Sequence, residues 1–255
     1  MDEHRQRAVP AVPQAPAGPR FVLEDGTVAS LEAGKPLDFR ARPREVDVCF
    51  VFDTTGSMSN KIDGLMSCMV DLVTELAGLS LDWRITAVPF GDLTVPGDRV
   101  VRDLPFVATS DQAEHLLRTM PRFDGGGNLG ESSAEAMLAA FAKAYRPSAV
   151  KVFVLLTDEP ALETSQAGTA RVTDALAREE VVCFVASPDL PYFRHWAAMT
   201  GGDWYPIGAY IDTAAVLRFL RRLLQDVAQI ANAVHELGGG SVRAYRALGS
   251  GPTDQ

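Results

Sequence analysis

Short, mostly apolar runs alternate along this chain with longer stretches whose apolar residues recur every three to four positions. The first run is Val46-Asp47-Val48-Cys49-Phe50-Val51-Phe52. It is β-branched and aromatic and too short for a helix, so it reads as a buried strand. Behind it Ile62, Leu65, Met66, Met69, Val70, Val73 and Leu76 form one helical stripe, predicting a helix over about 59–79. The alternation then repeats. Strands are predicted at 83–90, 150–156, 181–186 and 204–207, with 100–107 as an edge-like strand punctured by Pro105. Ser110 or Asp111 caps a short helix that turns Ala113, Leu116, Leu117 and Met120 inward. Further helices are predicted at 132–145, 167–179, 191–199 and 213–236.

Strands and helices alternating at this spacing imply an α/β fold, a Rossmann-like doubly wound and mostly parallel sheet with helices on both faces. The last helix carries a continuous stripe from Val216 to Val234 that packs on the sheet, while Arg218, Arg221 and Arg222 lie on other faces as solvated surface. The expected organisation is a Pro/Ala-rich disordered tail over 1–20, a small β-rich extension over 21–43, one domain over 44–236 and a flexible tail over 237–255. Within the extension, Asp25-Gly26 between two apolar triplets signals a hairpin, and Leu37-Asp38-Phe39-Arg40 reads as a further short strand.

Composition narrows the function classes. Of 255 residues, 47% are hydrophobic, which is enough for a substantial core. A net charge of −9 gives no basic face for nucleic acid. No apolar run is long enough to span a membrane, and the charged start Met1-Asp2-Glu3-His4-Arg5 is not a secretory signal. The three cysteines Cys49, Cys68 and Cys183 fall in apolar surroundings, where they act as small hydrophobes, pointing to a reducing, cytoplasmic compartment. None of His4, His115, His195 and His235 sits beside a serine or cysteine motif, so nucleophilic catalysis lacks partners.

The candidate chemistry begins where the first strand ends. Asp53-Thr54-Thr55-Gly56-Ser57-Met58-Ser59 puts a carboxylate and hydroxyls on the turn into a helix, at the sheet edge where open α/β folds bind ligands. Side chains two apart on an extended turn point the same way, so Asp53, Thr55, Ser57 and Ser59 present oxygens towards one point. Hard oxygen donors suit Mg2+ or Mn2+ over zinc. The bland alternative is a helix N-cap.

The stretch resembles the metal-ion-dependent adhesion site of von Willebrand factor A domains, whose Asp-x-Ser/Thr-x-Ser pattern is matched by Asp53, Thr55 and Ser57. The resemblance extends over about 190 residues, including Thr200-Gly201-Gly202 before the last strand. It implies a site built from three loops. The third is Asp158, placed directly after the apolar strand 150–156. The second departs from the pattern, because Gly125-Gly126-Gly127-Asn128 puts Gly127 where the family usually has a threonine. Some relatives have an acid after such a glycine run and then a Glu. Those positions here are Asn128, which offers a carbonyl oxygen, and Glu131, which either reaches the ion through water or is a first-turn carboxylate favoured by the helix dipole. The implied ligand set is Asp53, Thr55, Ser57, Asn128 and Asp158. The implied function is binding without chemistry, a partner's Asp or Glu completing the ion's coordination. In bacterial and cytoplasmic relatives such partners are often AAA+ ATPases or multi-component assemblies.

Two other readings stand beside it. One is a domain of this fold with a decayed metal site that binds partners through other surfaces. The other is a phosphatase of the haloacid dehalogenase type with Asp53 as nucleophile, although the general acid expected two residues on is Thr55. The glycine run does not follow a clear strand, as a dinucleotide fingerprint requires.

Overall fold

A computed structural model describes residues 20–22, 28–30, 44–79, 81–125, 130–164, 167–207 and 213–236. The chain divides into two compact units, Met1–Ala41 and Arg42–Gln255. In the first, strands β1 (Arg20–Val22) and β2 (Val28–Ser30) pair antiparallel with Phe21 opposite Ala29, as the Asp25-Gly26 signal anticipated. The turn itself, the short strand expected at 37–40 and the tail before residue 20 lie outside the described residues.

The second unit is an α/β layer structure. Strands β3 (Glu45–Asp53), β4 (Asp82–Phe90), β5 (Val150–Leu156), β6 (Val181–Ser187) and β7 (Trp204–Pro206) form one sheet in the order β4-β3-β5-β6-β7, every pair parallel. The order reverses direction at β3, so β3 and β5 flank the point where crossovers leave for opposite faces. Along β3, Val48, Phe50 and Phe52 face one core, with helices α1 (Ser59–Ala77), α2 (Ser110–Arg118) and α6 (Thr213–Glu236). Cys49 and Val51 face the other, with α3 (Ser133–Phe141), α4 (Thr169–Arg178) and α5 (Pro191–Thr200). A strand covered on both faces has no polar side, which is why β3 and β5 read as apolar runs interrupted only near their starts, by Asp47 and Lys151. All three cysteines are free and buried.

Three expectations need correction. Residues 100–107 form no strand. They meet β4 only at two antiparallel bridges, Phe90 with Val100 and Ile85 with Val107, because Pro105 between them has no N–H to extend a ladder. The cap of α2 is Thr109, whose hydroxyl accepts from the N–H of Gln112, rather than Ser110 or Asp111. Helix α3 ends at Phe141, and Tyr145 instead turns its ring onto Phe153.

Candidate metal centre

Parallel register places the ends of β3 and β5 side by side. Phe52 pairs with Leu156, so Asp53 and Thr157 emerge together at the carboxyl edge of the sheet. The loop after β3 is fixed on both flanks by backbone bonds. Thr54 N–H donates to Phe90 O at 3.0 Å, Phe123 N–H to Thr54 O at 2.9 Å, and Gly56 N–H to Asp124 O at 3.1 Å.

Asp53 is fully buried, yet each of its oxygens is occupied. Oδ1 accepts from the Thr55 N–H at 3.0 Å and the Thr55 hydroxyl at 2.6 Å. Oδ2 accepts from the Thr157 hydroxyl at 2.7 Å. Burial pushes the Asp53 carboxyl up to about 6; the hydrogen bonds from Thr55 and Thr157 oppose that rise, and the nearby charge of Asp158 adds to it.

From Thr55 the network continues. Thr55 Oγ1 and Ser57 Oγ lie 3.1 Å apart, and the Ser57 hydroxyl donates to Asp158 Oδ1 at 2.9 Å. Asp158 Oδ2 in turn accepts from Lys61 Nζ at 2.5 Å, and both side chains are almost wholly buried. Four of the five residues expected to hold an ion are thus joined into one strand of oxygens, Asp53–Thr55–Ser57–Asp158. The fifth, Asn128, lies outside the described residues, as does Gly127.

The capping alternative fails. The residue at the N-cap of α1 is Met58, and Thr55 stands before the 3-10 turn Gly56–Met58 without a side-chain capping bond. Ser59, expected to join the oxygens, opens α1 and is exposed.

Hydroxyl arithmetic makes the site informative. Each hydroxyl carries one proton. Asp53 takes that of Thr55 and Asp158 takes that of Ser57, so the 3.1 Å contact between the two hydroxyl oxygens has no proton left to bridge it. Lone pairs therefore face one another there. The donor set is neutral oxygen and carboxylate throughout.

Glu131 places a further buried carboxyl behind this row. Its backbone bridges Ala161, with its N–H donating to Pro160 O and its carbonyl accepting from Leu162. The side chain is buried and its Oε2 has no hydrogen-bond partner among the described residues. Burial first, then the charges of Asp53, Asp92, Asp98 and Glu159, push its carboxyl up to about 9. Because Glu131 precedes the N-cap Ser132, it is not a first-turn carboxylate; that position belongs to Glu135. Gly125, at φ +76, lies between Glu131 and Thr55: a Cβ on it would stand 2.9 Å from Thr55 Cβ and 3.1 Å from Glu131 Oε1.

Two site residues were not anticipated from the sequence, Thr157 and Lys61. The second left a trace. A lysine in the first turn of a helix opposes the helix dipole unless an acid meets it. Among the described residues, no three acidic, histidine or cysteine side chains form a metal-binding group, so any ion here relies on hydroxyls as well as on Asp53 and Asp158.

Comparison with known proteins agrees with this fold. Residues 47–189 match the family model of the von Willebrand factor type A domain. Among solved structures, a von Willebrand factor type A protein from Catenulispora acidiphila has the same fold, with a TM-score of 0.53 at 20% identity. The match covers 73% of this chain and 43% of the other, so the chain spans less than half the length of that relative. No curated protein is matched with significance.

Proposed function

The chain belongs to the von Willebrand factor type A family, and from that premise we propose that it is a protein-binding module gated by a divalent cation, Mg2+ or Mn2+. Domains of this family generally mediate protein–protein interaction. The finer reading concerns how this one does so.

The residues fit such an ion. The observation that carries the reading is the contact of Thr55 with Ser57, two oxygens 3.1 Å apart whose protons both point away to carboxylates. Hard oxygen donors of this kind suit Mg2+ or Mn2+. Asp53, Thr55, Ser57 and Asp158 would hold the ion, with Asn128 as the candidate from the second loop. Glu131, buried and without a hydrogen-bond partner at Oε2 among the described residues, is held protonated by its surroundings, and a nearby cation would favour its charged form.

Bound, the ion supplies a Lewis-acidic centre whose coordination an Asp or Glu of a partner protein completes. The chain's own residues do the positioning. Thr157 and Thr55 lock the Asp53 carboxylate in one orientation, and the backbone bonds to Phe90, Phe123 and Asp124 hold the loop rigid. With two neutral hydroxyls in the set, Asp53 and Asp158 formally balance the ion's charge, and an open coordination position is what a partner's carboxylate would fill. Covalent chemistry is not part of the proposal. A phosphoryl-transfer reading lacks its second acid, since Thr55 stands there and its hydroxyl donates to Asp53.

The test is thermal unfolding in Mg2+ or Mn2+ against EDTA. Ligand at a hundred times Kd stabilises by about 2.7 kcal/mol, a shift of several degrees in Tm. Asp53→Ala removes that shift if the reading is right. No shift in wild type at millimolar metal would end it. One observation favours the second reading, a site that no longer takes metal: Lys61 already provides Asp158 with a positive charge. The same titration separates the two.

A further inference from the structure

Lys61 is a charged group in the site to which the metal-binding reading assigns no role. It is the third residue of α1, at the helix end where a cation is least welcome. Its side chain is nevertheless 6% exposed, with Nζ 2.5 Å from Asp158 Oδ2. A buried ammonium is tolerated only when its partner compensates it. Here Asp158 does so fully, Oδ1 taking Ser57 and Oδ2 taking Lys61.

A second carboxylate stands close by. Glu159 follows Asp158 and is half-buried. Burial and the charge of Asp158 hold its carboxyl above the usual carboxylate range, while Lys61 pulls it back down. Lys61 therefore lies within electrostatic reach of two acids and is bonded to one of them.

Resting on the metal-binding reading above, we infer that Lys61 is a tethered counter-cation that competes with the divalent ion for Asp158. Two cations cannot share one carboxylate at contact distance without strong repulsion. The ammonium holds Asp158 in place and neutral in sum while metal is absent. It also raises the ion concentration needed to load the site.

Calorimetric titration of Mn2+ into EDTA-stripped, dialysed protein tests this, comparing wild type with Lys61→Met, Lys61→Gln, Glu159→Gln and Asp53→Ala. Removing the ammonium should tighten Mn2+ binding by about tenfold or more. Lys61→Gln should match Lys61→Met, and it stands in should the methionine variant fail to fold. Glu159→Gln, which takes away a negative charge beside Asp158, should weaken binding. Asp53→Ala should bind nothing. If wild type binds and neither lysine variant binds more tightly, the competition is wrong and the metal site stands. If wild type and both lysine variants all fail to bind while unfolding cooperatively, the metal reading falls and the competition with it.

Discussion

The Thr157 hydroxyl donates to Asp53 Oδ2 at 2.7 Å, joining the residue after β5 to the last residue of β3. Parallel pairing of Phe52 with Leu156 makes this bond possible, and among the described residues none nearer in sequence serves that oxygen. Thr157 also accepts from the Glu159 N–H at 3.3 Å, so one side chain orients the Asp53 carboxylate and the turn carrying Asp158.

Thr157→Val keeps the shape and deletes the donor. It leaves one buried carboxylate oxygen unsatisfied, a loss of about 1–3 kcal/mol. Urea unfolding in EDTA at neutral pH should show that drop, and Mn2+ affinity should fall as Asp53 loses its orientation. Thr157→Ser should restore most of both. A valine variant with unchanged affinity would mean that Thr55 alone positions Asp53.

Stability without metal should fall as pH rises. Burial lifts Asp53 from 3.8 to about 6 and Glu131 from 4.5 to about 9. Both folded values exceed the unfolded ones, so between them the native state binds more protons than the unfolded chain. The derivative of unfolding free energy with pH is then negative. The contribution is complete below pH 3.8, declines through about 6 for Asp53, and continues to decline to about 9 for Glu131. Urea midpoints in EDTA from about pH 5 to about pH 9 should decrease, and Glu131→Gln should flatten the upper half of that range. A midpoint that rose across the upper half would contradict the burial of Glu131 as a group without a counter-charge.

Gly125→Ala should harm the site more than a surface glycine substitution. At φ +76 any side chain is strained by about 1–2 kcal/mol. A Cβ there also collides with Thr55 Cβ at 2.9 Å. Gly97 makes the control: at φ +100, with nothing within 4 Å of the position a Cβ would take, it shares the backbone strain alone. Both variants should lose stability in differential scanning calorimetry, and only Gly125→Ala should also weaken Mn2+ binding.

What could be read from the sequence followed how far each residue's role is local. β3 and β5 declared themselves because both faces of each are covered, leaving apolar residues at every second position and its neighbour. Asp53, Thr55 and Ser57 were legible because they are two apart on one turn, and Asp158 because it follows a buried strand. Thr157 was not. A threonine ending an apolar strand looks like one more β-branched residue until strand register sets it beside Asp53. Lys61 drew no reading from the sequence, because only its buried partner Asp158, 97 positions away, distinguishes it from other helix lysines. The segment 100–107 misled because its alternation suits a strand while Pro105 interrupts the ladder.

The far end of β3 offers the means to separate folding from metal binding. Asp47 is fully buried and accepts from Arg84 Nε at 3.0 Å and Nη2 at 2.5 Å, and from the Arg146 N–H at 2.8 Å and Nε at 2.9 Å. Six residues along an extended strand put it about 20 Å from Asp53. Breaking such a buried network by removing one partner costs about 3–5 kcal/mol. The low end applies to Asp47→Ala, because Arg146 keeps an ion pair with Asp82 at 2.9 Å and both arginines retain some exposure. Asp47→Ala should therefore shift the urea midpoint in EDTA strongly, yet the calorimetric Kd for Mn2+, measured where the variant remains folded, should equal that of wild type. The site's rigidity comes from bonds at the carboxyl edge, to Phe90, Phe123, Asp124 and Thr157, and none of these reaches Asp47. A variant that lost affinity in step with stability would show instead that the metal loops depend on the sheet's opposite end.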